Sequence, residues 1–118
     1  MRQINIPDNV KYIRFNAFYN CNSLSSVTFS KSLKIIEDDA FSYCSSLNHI
    51  NLPDSLEIIY DAFKHCKSLT RINIPKNLRY LGNYAFICSP IKELENEDSI
   101  EKKFKSELRY YFLDKCNY

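Results

Sequence analysis

Five cysteines stand in a chain of 118 residues, and four of them close nearly the same phrase. "NAFYNC", "DAFSYC", "DAFKHC" and "YAFIC" end on Cys21, Cys44, Cys66 and Cys88. Cysteine at a repeated spacing can ligate a metal, pair in disulfides or act as a nucleophile. Zinc needs four ligands converging on one point at about 2.3 Å each. A disulfide needs Cβ atoms about 3.8 Å apart, aimed at one another. A nucleophile needs an activating base beside it. The elements between the cysteines decide which of these is within reach.

Those elements repeat. Ile4, Val27, Ile50 and Ile72 are spaced by 23, 23 and 22 residues, and Ala17, Ala40, Ala62 and Ala85 by 23, 22 and 23. Phe18, Phe41, Phe63 and Phe86 keep the step, and the four cysteines nearly keep it. Pro7, Ser30, Pro53 and Pro75 mark one further position. Several positions recurring together at 22–23 residues are the signature of a solenoid. Inside a unit, "LSSVTF" and "LNHINL" place apolar residues at positions one, four and six, as a short strand with one buried face does. The proline stops that strand. An apolar pair three apart follows (Val10 and Ile13, Leu33 and Ile36), and Ala17, Phe18, Cys21 and Leu24 then suit a short helical turn. Units related by a step along one axis give parallel strands, with the rest of each unit as the crossover.

Equivalent residues of such a coil stack about 4.8 Å apart. Four cysteines in file then form a line roughly 15 Å long, which cannot surround a metal. In-register side chains also point the same way, which disfavours disulfides between neighbours. Buried, reduced cysteines packing as small apolar side chains are therefore expected, with neighbour disulfides as the alternative. Cys116 falls outside the file.

"LSSVTFSKSLKIIEDDAFSYC" and "LNHINLPDSLEIIYDAFKHC" resemble the BspA-like class of leucine-rich repeats, whose rhythm is LxxIxIPxxLxxIxxxAFxxC. The resemblance runs from residue 1 to about 95. The glycine usual after the second isoleucine is present only as Gly82; Arg14 and Glu37 replace it in the first two units, and the third reads as lacking the position. The resemblance implies a right-handed leucine-rich-repeat coil with a parallel sheet on one face and short turns or helical turns on the other. It also implies an extended surface for adhesion or protein contact.

Two regions follow, about four and a half units over 1–95 and a helical cap over 96–118. Within the latter, "SIEKKFKSELRYYFLDK" brings Ile100, Phe104, Leu108, Tyr111 and Phe112 to one helix face, as a lid needs. Met1 occupies the slot of Leu24, Leu47 and Leu69, so the first strand starts uncovered. An uncapped strand edge invites pairing, and a homodimer through that edge is one expectation.

Apolar residues at 45% and a net charge of +2 describe a folded chain without the basic excess of a nucleic-acid binder. No apolar run approaches the roughly 20 residues of a membrane span. One glycine rules out a glycine-rich phosphate loop. Read as complete, the chain is cytoplasmic; read as part of a longer family member, it is displayed on the cell surface or secreted.

With no acid–base pair, metal set or cofactor loop, the expected function is non-enzymatic binding of another protein. The alternative is a structural or self-assembling segment of a larger adhesin-like or oligomeric protein. Two surfaces offer themselves. Outward strand residues form the columns Gln3, Ser26, His49, Arg71, Glu93 and Asn5, Thr28, Asn51, Asn73, Glu95, with His49, Arg71, Asn51 and Asn73 as polar anchors. Tyr12, Ile35, Ile58 and Tyr80 form an apolar stripe, either exposed as a contact site or rotated into partial burial.

Overall fold

Each unit closes into one coil with three sides, and the coils stack in parallel. The computed structural model describes residues 2–95. The first side carries β1 (Gln3–Asn5), β3 (Ser26–Thr28), β6 (Arg71–Asn73) and β8 (Glu93–Glu95). The second carries β2 (Tyr12–Ile13), β4 (Ile35–Ile36), β5 (Ile58–Ile59) and β7 (Tyr80–Leu81). Strands β2, β4, β5 and β7 form one continuous parallel sheet with Ile13, Ile36, Ile59 and Leu81 in register.

The third side is made of turns. Among the described residues there is no helix, so the helical turn expected at Ala17, Phe18 and Cys21 is corrected. A local i→i+3 bond alternates there with a bond to the next coil. Ala17 N reaches Arg14 O at 3.2 Å, Phe18 N reaches Ala40 O at 2.7 Å, and Cys21 N returns to Phe18 O at 3.2 Å. Several of these turns carry a residue with positive φ at the third position, as a type II turn does. Asn16 (59°), Asn20 (59°) and Asp39 (58°) supply it, and Asn and Asp tolerate that region best. The spacing of one, three and three is shared by a helix and by these turns, and periodicity alone does not separate them.

Two further expectations change on the first side. The strand expected over residues 47–52 is reduced to one bridge between His49 and Arg71, and the sheet divides into the pairs β1–β3 and β6–β8. Asn73 is the physical reason at the strand's end. Its amide nitrogen donates to Leu52 O at 2.9 Å, and its oxygen accepts from Leu52 N at 2.6 Å. A side chain thus takes the place of ladder bonds. In the third unit, Tyr60 holds the position that the sequence reads as lost: Tyr60 N bonds Ile36 O as Gly82 N bonds Ile59 O. The missing residue comes next, where Ala62 N closes a tighter turn on Tyr60 O at 2.8 Å.

The core is a set of columns. Phe18, Phe41, Phe63 and Phe86 stack at 5.1, 5.2 and 5.2 Å between centroids, with planes within 16°. Leu24, Leu47, Leu69 and Ile91 are buried beneath them. Each large apolar side chain so buried contributes roughly 1.5–3 kcal/mol. At the corner after the strand, Val10, Leu56 and Leu78 N bond the carbonyls of Pro7, Pro53 and Pro75. In the second coil Ser30 replaces proline, and its buried hydroxyl donates to Val10 O at 2.6 Å. The cap expected over 96–118, the slot of Met1 and Cys116 lie outside the described residues.

Candidate partner-binding face

Cys44 Sγ donates to Phe18 O at 3.1 Å and Cys66 Sγ to Phe41 O at 3.2 Å. Each thiol caps the phenylalanine carbonyl of the coil before it. Burial pushes the Cys44 thiol up to about 11 and Cys66 up to about 12. Such thiols stay protonated and unreactive at neutral pH.

The fourth member of the file is not Cys88. Ser89 stands there, completely enclosed, and its hydroxyl donates to Phe63 O at 2.7 Å. Cys88 occupies the positive-φ turn position at 62°, in line with Asn20, Tyr43 and His65. It is half-buried and disulfide-bonded, so the expectation of four buried reduced cysteines holds for Cys44 and Cys66 and fails for Cys88. Cys21, a free thiol at the open end of the file, is half-buried. The signal was present in the spacing. Ala17–Cys21, Ala40–Cys44 and Ala62–Cys66 are four apart, and Ala85 is four before Ser89.

On the first side, His49, Arg71 and Asn51 are exposed. Asn73 is not. It is only 7% exposed, bound to Leu52 as described, and drops out of the polar column. The side chains of Glu93 and Glu95 lie outside the description.

The second side brings together the whole stripe. Tyr12, Ile35, Ile58 and Tyr80 are mutual partners across β2, β4, β5 and β7. Tyr12 is 46% exposed and Tyr80 49%, while Ile35 and Ile58 are half-buried between them. Both expectations for this stripe are thus met in part, exposure at the ends and partial burial in the middle.

Further residues border it. Tyr60 leans on Tyr80 at 5.5 Å, and the Arg14 guanidinium lies 5.2 Å over the Tyr12 ring. Glu57 joins Lys34 at 3.5 Å and Arg79 at 3.3 Å, and Arg14 joins Glu37 at 3.0 Å. An apolar strip rimmed by charge results. Tyr60 stands two residues beyond Ile58, on the same face of an alternating strand, so alternation points to it as well.

The profile of the BspA type leucine rich repeat region matches residues 1–117 in six copies. A leucine rich repeat protein of T. pallidum is 30% identical over 78% of this chain and 44% of its own, with a TM-score of 0.74. A leucine-rich repeat protein from Bacteroides ovatus is also 30% identical, over 99% of this chain and 29% of its own, at 0.74. A leucine rich cell surface protein from Faecalibacterium prausnitzii is 27% identical, over 90% and 29%, at 0.80. The chain spans less than half the length of each. A comparison with curated protein sequences finds no match.

Proposed function

This chain belongs to the BspA-type leucine-rich repeat family, and we propose that it is a non-enzymatic module that binds another protein across the Tyr12–Ile35–Ile58–Tyr80 stripe. Repeats of this kind serve protein contact or surface display. One observation carries the assignment to this side: a tyrosine, two isoleucines and a tyrosine in strict register, half exposed at both ends and rimmed by Arg14, Lys34 and Arg79. Tyrosine and arginine around an apolar centre are the residues that dominate binding energy at interfaces. The first side supports binding less well, because Asn73 is turned inward.

The test uses affinity capture followed by titration of the captured protein. Tyr80→Ala is expected to weaken its binding at least about tenfold, equivalent to about 1.4 kcal/mol, while Arg71→Glu on the first side leaves it unchanged. Loss on Arg71→Glu alone would move the site to the first side.

We assign the module to the cell exterior. The Faecalibacterium prausnitzii neighbour is a cell surface protein, and a disulfide at Cys88 persists in an oxidising compartment. No helix among the described residues is long and apolar enough to cross a membrane. Unreduced protein, denatured and titrated with a thiol reagent, should show fewer than five reactive cysteines; five would remove this support.

A further inference from the structure

We propose that the Tyr12–Ile35–Ile58–Tyr80 stripe takes an amphipathic α-helix of its protein partner, laid along the solenoid axis and held in one direction by rims of opposite charge. The proposal rests on the reading of this stripe as the partner-binding face and specifies what occupies it.

The spacing of the stripe selects the occupant. Its four residues come from neighbouring strands in register, so an apolar group recurs about every 4.8 Å across the sheet. A segment lying along the stripe must present apolar groups at nearly that step. A helix seam rises about 5.4 Å per turn, whereas alternate residues of an extended segment stand about 6.8 Å apart. Over the three steps from Tyr12 to Tyr80 the helix drifts out of register by about 2 Å and the extended segment by about 6 Å. The relief agrees. Ile35 and Ile58 are half-buried between the exposed Tyr12 and Tyr80, with exposed Tyr60 beside them. A shallow seat about 14 Å long results, room for roughly three helical turns with apolar residues at i, i+4, i+7 and i+11.

The two rims differ in sign. One place before the stripe stand Lys11, Lys34, Glu57 and Arg79. Glu57 is shared between Lys34 and Arg79, so this rim keeps a positive surplus, to which exposed Lys11 adds. Two to four places beyond Ile35 and Ile58 stand Glu37, Asp38, Asp39 and Asp61. Arg14 pairs with Glu37, but Lys64, bonded to Asp39 at 3.1 Å, also serves Asp61 and Asp38, one cation among three carboxylates. This rim keeps a negative surplus. It opens into a hollow lined by Phe15, Asn16, Glu37, Asp38, Asp39 and Tyr60, which adjoins the stripe through Tyr60. Carboxylates with two aromatic rings suit a lysine or arginine side chain.

Opposite rims fix direction. A helix laid apolar face down has two flanks, and turning it end for end exchanges them. Only one direction sets acidic residues over Lys34 and Arg79 and basic residues over the hollow; the other opposes like charges on both rims, which costs binding.

Helix-stapled peptides titrated against the intact chain by fluorescence anisotropy at low salt test this. All carry Leu at i, i+4, i+7 and i+11; one has Glu along one flank and Lys along the other, one Glu on both, one Lys on both. The bipolar peptide is expected to bind at least about tenfold more tightly than either of the others, with the margin shrinking as salt is raised. A spin label at its N-terminus should broaden signals at one end of the stripe, Tyr12 or Tyr80, and exchanging the two flanks should move the broadening to the other end. Lys34→Glu with Arg79→Glu makes both rims negative and should turn the preference to the peptide with Lys on both flanks. No binding by any peptide, equal affinity for all three, or broadening that stays in place after the exchange would overturn the proposal. So would an unstapled bipolar peptide with a central proline that binds as well as the stapled one, because proline breaks the helix. Where Tyr80→Ala still loses the captured protein, such a failure removes the helix and leaves the partner-binding face standing. Where Tyr80→Ala weakens neither the captured protein nor the bipolar peptide, the face itself is wrong.

Discussion

Cys44 and Cys66 are hydrogen-bond donors in an apolar column, a role that needs a small side chain with one polar hydrogen. Ser89 shows that a hydroxyl does the same work in the fourth coil. Cys66→Ser is therefore expected to unfold within about 1 kcal/mol of the native protein in urea. Cys66→Ala removes one of the two donors to the Phe41 carbonyl, which keeps the Cys44 N–H at 3.3 Å, and should cost about 0.5–1.5 kcal/mol. The same thiols set an alkaline limit. Their folded values, about 11 and about 12, lie above the ordinary 9.0, so their contribution is complete below pH 9 and is lost as pH rises through the folded values. Between pH 9 and 11 each thiol should lower stability by about 1.4 kcal/mol per pH unit, and urea titrations of Cys44→Ser and Cys66→Ser should show shallower slopes. The file was legible from residue type and step. Its fourth member was not found there, because cysteine was followed where the four-residue step from alanine leads to Ser89. Asn73 was misplaced because alternation records which side a residue faces and says nothing of an amide folding back on the neighbouring coil.

At the scale of elements, the turn side depends on local accidents of length. The third coil is one residue short, with a tighter turn at Tyr60–Ala62, and its Asp61 carboxylate accepts from Tyr84 N of the following coil at 3.0 Å, as Asp38 accepts from Asp61 N at 3.1 Å. Gly82 makes room for it. A Cβ there would stand 2.2 Å from Asp61 Oδ1 and 3.0 Å from the Tyr60 carbonyl carbon. Gly82→Ala must push that carboxylate off Tyr84 N and should cost about 1–3 kcal/mol, measured by thermal unfolding. A combined Gly82→Ala and Asp61→Ala protein should still lose stability beyond Asp61→Ala alone, because the added Cβ also stands 3.0 Å from the Tyr60 carbonyl carbon and 3.1 Å from Asp61 N. The glycine is thus tied to the close approach of Asp61 and the Tyr60 backbone, not to a positive φ. Strand positions were plain in the sequence because burial alternates there. The turn side was hidden because turns and helices share their apolar spacing, and the loss of ladder bonds at Leu52 because it depends on the Asn73 side chain.

For the whole molecule, stability is a sum over coils and the contacts between neighbours, so equal residues are unequal according to their place in the stack. Phe63 lies between two rings, at 5.2 Å on each side. Phe18 has one, at 5.1 Å, and stays half-buried at the open end. The period showed that these residues stack, while their place in the stack decides how much each contributes. Phe63→Ala empties an enclosed site and should cost about 3–5 kcal/mol. Phe18→Ala removes one ring contact and partial burial, and about half that cost is expected in dilute urea titrations. Equal penalties at low concentration would mean that coil order does not govern the energetics, and the column would then behave as one cooperative block.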